Sequence, residues 1–151
     1  MAVQTINNLQ MPTAGPRQAT VELSSANLLA LRATPIQVIA APGAGKFIVI
    51  EKAVIFYHPG GAQYNVAGGG DIELLLGSNQ PFATACSTNE NILTQASECV
   101  GNFIVYNAAD YDTLSNMENL ALNVKNVGGG EYTTGTGTAT LVVQYSVMDK
   151  T

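Results

Sequence analysis

Residues 46 to 58 read KFIVIEKAVIFYH, a run of β-branched and aromatic side chains too long for a loop and without helical period. Such residues fit a pleated, packed surface, so this run is the strongest strand in the chain. Its only interruption, Glu51-Lys52, is expected to be a bulge or a turn-facing edge. The rest of the chain follows the same plan. Strands are expected at 18–23, 36–41, 71–77, 102–108, 120–126 and 138–149. The last two alternate cleanly, with Leu120, Leu122 and Val124 on one face, and Leu141, Val143, Tyr145 and Val147 on another. Between strands lie the turn formers: PGGAQYNVAGGG at 59–70 and VGGGEYTTGTG at 127–137 read as hairpin loops.

Helix is almost absent from this reading. Ser24 or Ser25 can cap one short turn whose buried side is Leu28, Leu29 and Leu31. Thr34-Pro35 ends it, because a residue before proline avoids helical angles. Residues 78–100 are mixed and polar, with one helical turn expected in NENILTQASE, and 109–119 is irregular or briefly helical. About seven or eight strands with turn-rich connections indicate an all-β sandwich or barrel. Eight strands in two antiparallel sheets is the jelly-roll solution. The length of 151 residues fits one domain, taken as 18–151. Residues 1–17 show neither helix nor strand period and read as an extended N-terminal arm. Its isolated apolar residues Ile6, Leu9 and Met11 are the expected anchors on a partner.

Composition narrows the function. Hydrophobic residues make up 46% and charged residues 11%, against about 25% charged in a typical globular domain. So sparse a charged coat points to surface covered by sister subunits. The net charge is −5 with only six Lys and Arg, so no basic stripe exists to neutralise nucleic-acid phosphates. The same acidity disfavours anionic membranes, and no apolar run approaches the ~20 residues of a membrane helix. The first residues lack a charged start followed by an apolar core, so synthesis in the cytosol is expected, with retention there or assembly there into something larger.

The turn APGAGK at 41–46 resembles a phosphate loop at first sight. A Walker motif would need glycine at position 40 and a hydroxyl at 47, where Ala40 and Phe47 stand. A dinucleotide fingerprint would need a third glycine at Ile48. Phosphate also sits at the start of a helix, and here a strand follows. A turn between strands is the expected role, with glycines supplying positive φ.

Catalytic signals are thin. His58 is the one histidine; with Cys86 or Cys99 it would form a dyad that nothing else in the sequence supports. The two cysteines are expected as partly buried thiols, with a disulfide as the second possibility, and zinc lacks ligands. Asp71 with Glu73, and Asp110 with Asp112, are the only paired acids that could serve glycoside hydrolysis. No tryptophan is present to build a sugar platform. Asp110, Asp112 and Glu118 lack the spacing of a calcium loop. No enzyme activity, cofactor or metal is expected.

Two stretches carry a family resemblance. VELSSANLLALRATPIQVIAAPGAGKFIVIEKAVIFYH, 21–58, resembles the front part of small virion proteins of tailed bacteriophages. LALNVKN…GTGTATLVVQYSVMD, within 120–149, resembles their closing strands. Together they cover somewhat under half of the chain. The resemblance implies a head decoration or cement protein: a jelly-roll module that trimerises on the outer capsid surface and contacts the major capsid protein. A receptor-binding head spike, fibre or tail-associated domain is the alternative, recognising a host surface through loops 59–70 and 127–137.

Overall fold

The computed structural model describes residues 15–68, 70–77, 80–85, 92–105 and 117–150. Ile6, Leu9, Met11, Cys86, Asp110 and Asp112 lie outside the described residues. Eight strands form: β1 Arg17–Leu23, β2 Ile36–Ile39, β3 Lys46–His58, β4 Ile72–Leu76, β5 Gln80–Ala85, β6 Cys99–Val105, β7 Leu122–Asn126 and β8 Thr138–Asp149. Among the described residues a short helix, α1, spans Ser25–Leu29, and a 3₁₀ turn spans Ile92–Thr94.

All strand pairs are antiparallel, in the order β1-β8-β3-β6-β5-β4-β7-β2. The order divides into two sheets of four, β1-β8-β3-β6 and β2-β7-β4-β5. Strand β6 joins them: Cys99–Asn102 pairs with β3, while Phe103–Val105 pairs with β5. Apart from the β4–β5 hairpin, every connection passes from one sheet to the other. This is a jelly-roll sandwich, with β1 and β2 as its two free edges.

The core lies between the sheets. Leu141, Val143 and Ala139 of β8 face Ile48, Ile55 and Tyr57 of β3 within the same fully buried cluster as Leu74, Leu122 and Val124 of the second sheet. Each fully buried Leu or Ile contributes about 1.5–3 kcal/mol before entropy is counted. Helix α1 forms where a cap is available. The Ser24 side chain accepts from the Asn27 N–H, and the Asn27 side chain accepts from the Ser24 N–H. Leu28 and Leu31 are then buried against the sandwich.

The interruption in β3 is a bulge. The register shifts between Ile50 and Lys52, so Ile50 pairs with Tyr145 and Lys52 with Gln144. Glu51 is the extra residue and accepts a 2.5 Å hydrogen bond from the buried Ser146 hydroxyl. Strand β5 was not expected from the sequence. It contains Pro81, which lacks a ladder donor, and the β4–β5 register shifts beside it.

Candidate interaction surface

Alternation along β3 sends Ala53, Ile55 and Tyr57 into the core and Val54, Phe56 and His58 outward. The register brings outward residues of four strands into rows. Glu22, Thr140, Phe56 and Val100 form one row; Thr20, Val142, Val54 and Asn102 form the next. Phe56 is 41% exposed, while Val100 and Ile104 are each 56% exposed. Phe47, Val49 and Met148 continue the same outward face beyond the bulge and are half-buried.

Charges stand at the edges of this face and across its middle. Glu22 on the outer strand accepts from the Thr140 hydroxyl at 2.8 Å. His58 and Glu98 pair at 3.0 Å at the strand ends, both exposed. Midway along β3, the bulged Glu51 and Lys52, with Gln144 opposite Lys52, are exposed between the Phe56 end of the face and the Phe47 end. The second sheet is built differently. Its outward positions include Gln37, Asn123, Lys125 and Glu73, and Glu73 lies opposite Lys125. That is the ordinary solvated side of an antiparallel sheet. Burial pushes the Glu73 carboxyl up, and the nearby Asp71 charge adds to it.

The two glycine-rich loops read as separate hairpins in the sequence, and the structure brings them together. Asn65 and Thr133 form a bridge, with N–H···O distances of 2.7 and 3.0 Å. Gly130 N–H donates to the Gly68 carbonyl, and Thr136 N–H to the Ala62 carbonyl at 3.0 Å. Beneath them, Tyr57, Tyr64 and Tyr132 stack edge to face, with centroids 6.4 Å apart for each neighbouring pair. Burial, and then Tyr57, pushes the Tyr64 hydroxyl up to about 12. Tyr64 donates to the Gly137 carbonyl at 2.7 Å. Asn126 anchors the assembly: its Oδ1 accepts from Gly70 and Gly128, and its Nδ2 donates to the Gly130 carbonyl. Glu131 closes the outer side by accepting from the N–H groups of Arg32 and Ala33.

The turn before β3 does receive an oxygen anion, but one from its own chain. Gly43 and Gly45 adopt φ of 103° and 74°. Gly45 N–H donates to the Glu118 carboxylate at 2.7 Å, and Gly43 N–H to the Asn119 side chain at 2.9 Å. Lys150 donates to the second Glu118 oxygen at 2.7 Å. The turn therefore ties the entry to β7 and the end of β8 to β3. Lys150, then the Gly45 N–H, hold the Glu118 carboxyl below its ordinary value. A depressed carboxyl contributes stability that is fully present above its unfolded-state value and lost as pH falls through the folded one. Acid titration of the thermal midpoint is therefore expected to fall less steeply below that ordinary value in Glu118→Gln than in the wild type. Parallel curves would show that the latch carries no stability.

The residues that could carry chemistry are dispersed. Cys99 lies opposite Tyr57 and faces inward, whereas His58 faces outward, so the two stand on opposite faces of the sheet. Burial pushes the Cys99 thiol up. Glu118 is engaged by Gly45 and Lys150. Among the described residues, no three His, Cys, Asp or Glu side chains gather into a metal-binding group. The apolar sheet face was not singled out in the sequence. Its signal was there in residues 46–58, which are apolar on both faces where a half-solvated strand would alternate. The chain matches no model of a known protein family and no curated relative. Fold and surface together define an all-β jelly-roll module with exposed apolar side chains, Phe56 and Val100, on the outer face of one sheet.

Proposed function

We propose that the chain is a structural virion protein that decorates and stabilises a bacteriophage capsid, acting as a homotrimer that bridges neighbouring major capsid subunits. The observation that carries this reading is the exposed apolar pair Phe56 and Val100, with Val54 and Val142 in the next row, on the outer face of β1-β8-β3-β6. A protein with such a face and only 11% charged residues is suited to permanent assembly. The resemblance of 21–58 and 120–149 to tailed-phage decoration proteins supplies the setting. In this reading residues 1–17 reach a shell subunit, with Ile6, Leu9 and Met11 as anchors. Three weak arm contacts on one trimer act together, and tethering can raise avidity by about 10²–10⁴. The bridges would then resist the outward pressure of packaged DNA.

Co-sedimentation with heads purified from the encoding phage tests the reading. The full chain is expected to pellet with heads, and a chain lacking residues 2–16, which keeps β1 from Arg17 onward, to remain in solution with its fold intact. Equal pelleting of both would remove the arm from the mechanism. A second reading, recognition of a host surface, is favoured by the joining of loops 59–70 and 127–137 into one continuous end of the sandwich. Binding to host cells but not to heads would establish it instead.

A further inference from the structure

We infer that the fold binds a single buried water molecule beneath the joined loops, held between the Gly137 N–H and the Tyr57 hydroxyl. The inference rests on the fold alone and stands apart from either reading of the function.

The backbone at the start of β8 is the first argument. In antiparallel sheets, successive residues of a strand turn their N–H and C=O groups to opposite neighbours. Lys150 N–H, just past β8, donates to the Gly45 carbonyl on the β3 side. Even-numbered positions of β8 therefore face β3, and odd-numbered positions face β1. By this count Gly137 is due a partner from β1. Pairing with β1 ends at Leu23 opposite Ala139, and the next partner in register, Ser25, is already the first residue of α1. The sheet thus leaves both backbone groups of Gly137 unpaired. Its carbonyl takes the Tyr64 hydroxyl at 2.7 Å. Its N–H has no partner among the described residues, and Gly137 is buried.

Tyr57 is the second argument. It has no exposure, and its hydroxyl has no hydrogen-bond partner among the described residues. The Cys99 thiol, opposite Tyr57 in the ladder, turns to the Ile92 carbonyl at 4.0 Å. A Cβ added to Gly137 would stand 2.5 Å from the Tyr57 hydroxyl oxygen. The unpaired hydroxyl therefore lies against the residue that carries the unpaired N–H. Burial, and then Cys99, pushes the Tyr57 hydroxyl up, so it stays neutral and can both donate and accept. Buried polar groups without partners are uncommon in folded proteins, and two in one place call for a shared partner.

Partner number is the third argument. A buried water typically makes about three hydrogen bonds. The Gly137 N–H donates to it, and the Tyr57 hydroxyl supplies the second bond. The Tyr64 oxygen, whose proton goes to the Gly137 carbonyl, keeps a lone pair for the third. The water takes the place of β1 where the chain turns into α1, and it ties β3 to the entry of β8 and to the first glycine loop.

A crystal structure of the full chain, at a resolution that orders internal waters, tests the site together with Tyr57→Phe. The expected density is one water within hydrogen-bond distance of the Gly137 nitrogen and the Tyr57 hydroxyl oxygen. Tyr57→Phe preserves the ring packing and removes one partner of the water. Its unfolding constant in urea is expected to rise about 2–10-fold at equal protein concentration. A variant as stable as the wild type, or more so, overturns the site, because the hydroxyl would then have been unpaired. A direct bond from the Tyr57 hydroxyl to Gly137 or Cys99, with no water between, overturns it as well.

Discussion

Gly135→Ala is expected to destabilise the fold by about 2–5 kcal/mol, through left-handed strain and overpacking acting together. Gly135 has φ of 97°, a conformation that costs an L side chain energy wherever it occurs. Here space is also lacking. An added Cβ would stand less than 3.0 Å from three atoms of the Tyr64 ring. That ring cannot swing aside, because its hydroxyl is bound to the Gly137 carbonyl and its faces and edges meet Tyr57 and Tyr132. Gly43 provides the comparison. Its φ of 103° is as strained, but nothing lies within 4 Å of the added atom. Gly43→Ala should therefore show strain alone, about 1–2 kcal/mol. Urea unfolding followed by tyrosine fluorescence at one protein concentration measures both. Equal losses at the two positions would mean that the tyrosine stack yields.

Asn126→Ala is expected to cost about 3 kcal/mol and to part the two glycine loops. The side chain has no exposure, and it makes three hydrogen bonds to backbone groups of Gly70, Gly128 and Gly130. A buried polar group deprived of its partner costs about 1–3 kcal/mol, and water reaching the opened loops offsets part of that sum. Asn126→Asp separates the two functions of the amide. It retains the acceptor for Gly70 and Gly128 but turns a second, charged oxygen on the Gly130 carbonyl in a fully buried site, so it should cost at least as much as Ala at neutral pH. Amide hydrogen exchange gives a local readout. Protection at Gly128 should fall sharply in the Ala variant, and protection in β8 should change little. Unchanged exchange at Gly128 would show that the loop bridge at Asn65 and Thr133 holds without Asn126.

The long strands were legible in the sequence because their side chains leave little alternative. The bounds Lys46–His58 and Thr138–Asp149 follow directly from β-branched and alternating residues. The Ser24 cap and the Glu51 bulge were legible for local reasons as well. Strand β5 was not, since Pro81 and polar neighbours argue against a strand and only pairing with β4 and β6 holds it there. Strand β6 begins at Cys99, three residues before the expected start at Asn102, because β3 offers Ile55, Phe56 and Tyr57 as partners for Gly101, Val100 and Cys99. Gly101 has no side chain to mark a strand, yet it admits Ile55 and Ile92 closely on the core side.

The interaction surface was partly legible. Residues 46–58 are apolar on both faces, and an antiparallel strand of that kind needs cover on both sides. Which residues complete the surface depends on register, which places Val100 opposite Phe56 and Val142 opposite Val54. The role of Gly43 and Gly45 was legible only as a turn. Their carboxylate partner, Glu118, is more than seventy residues away in the chain, and no local pattern announces it.

In the proposed reading this jelly roll is a building element of a capsid surface. Electron microscopy of undecorated heads of a phage whose genome carries this sequence, incubated with the purified chain and averaged, tests that reading most directly. The expected result is threefold density seated between neighbouring shell subunits. Bare heads, with the chain bound instead to host cells or to the tail, would contradict the account.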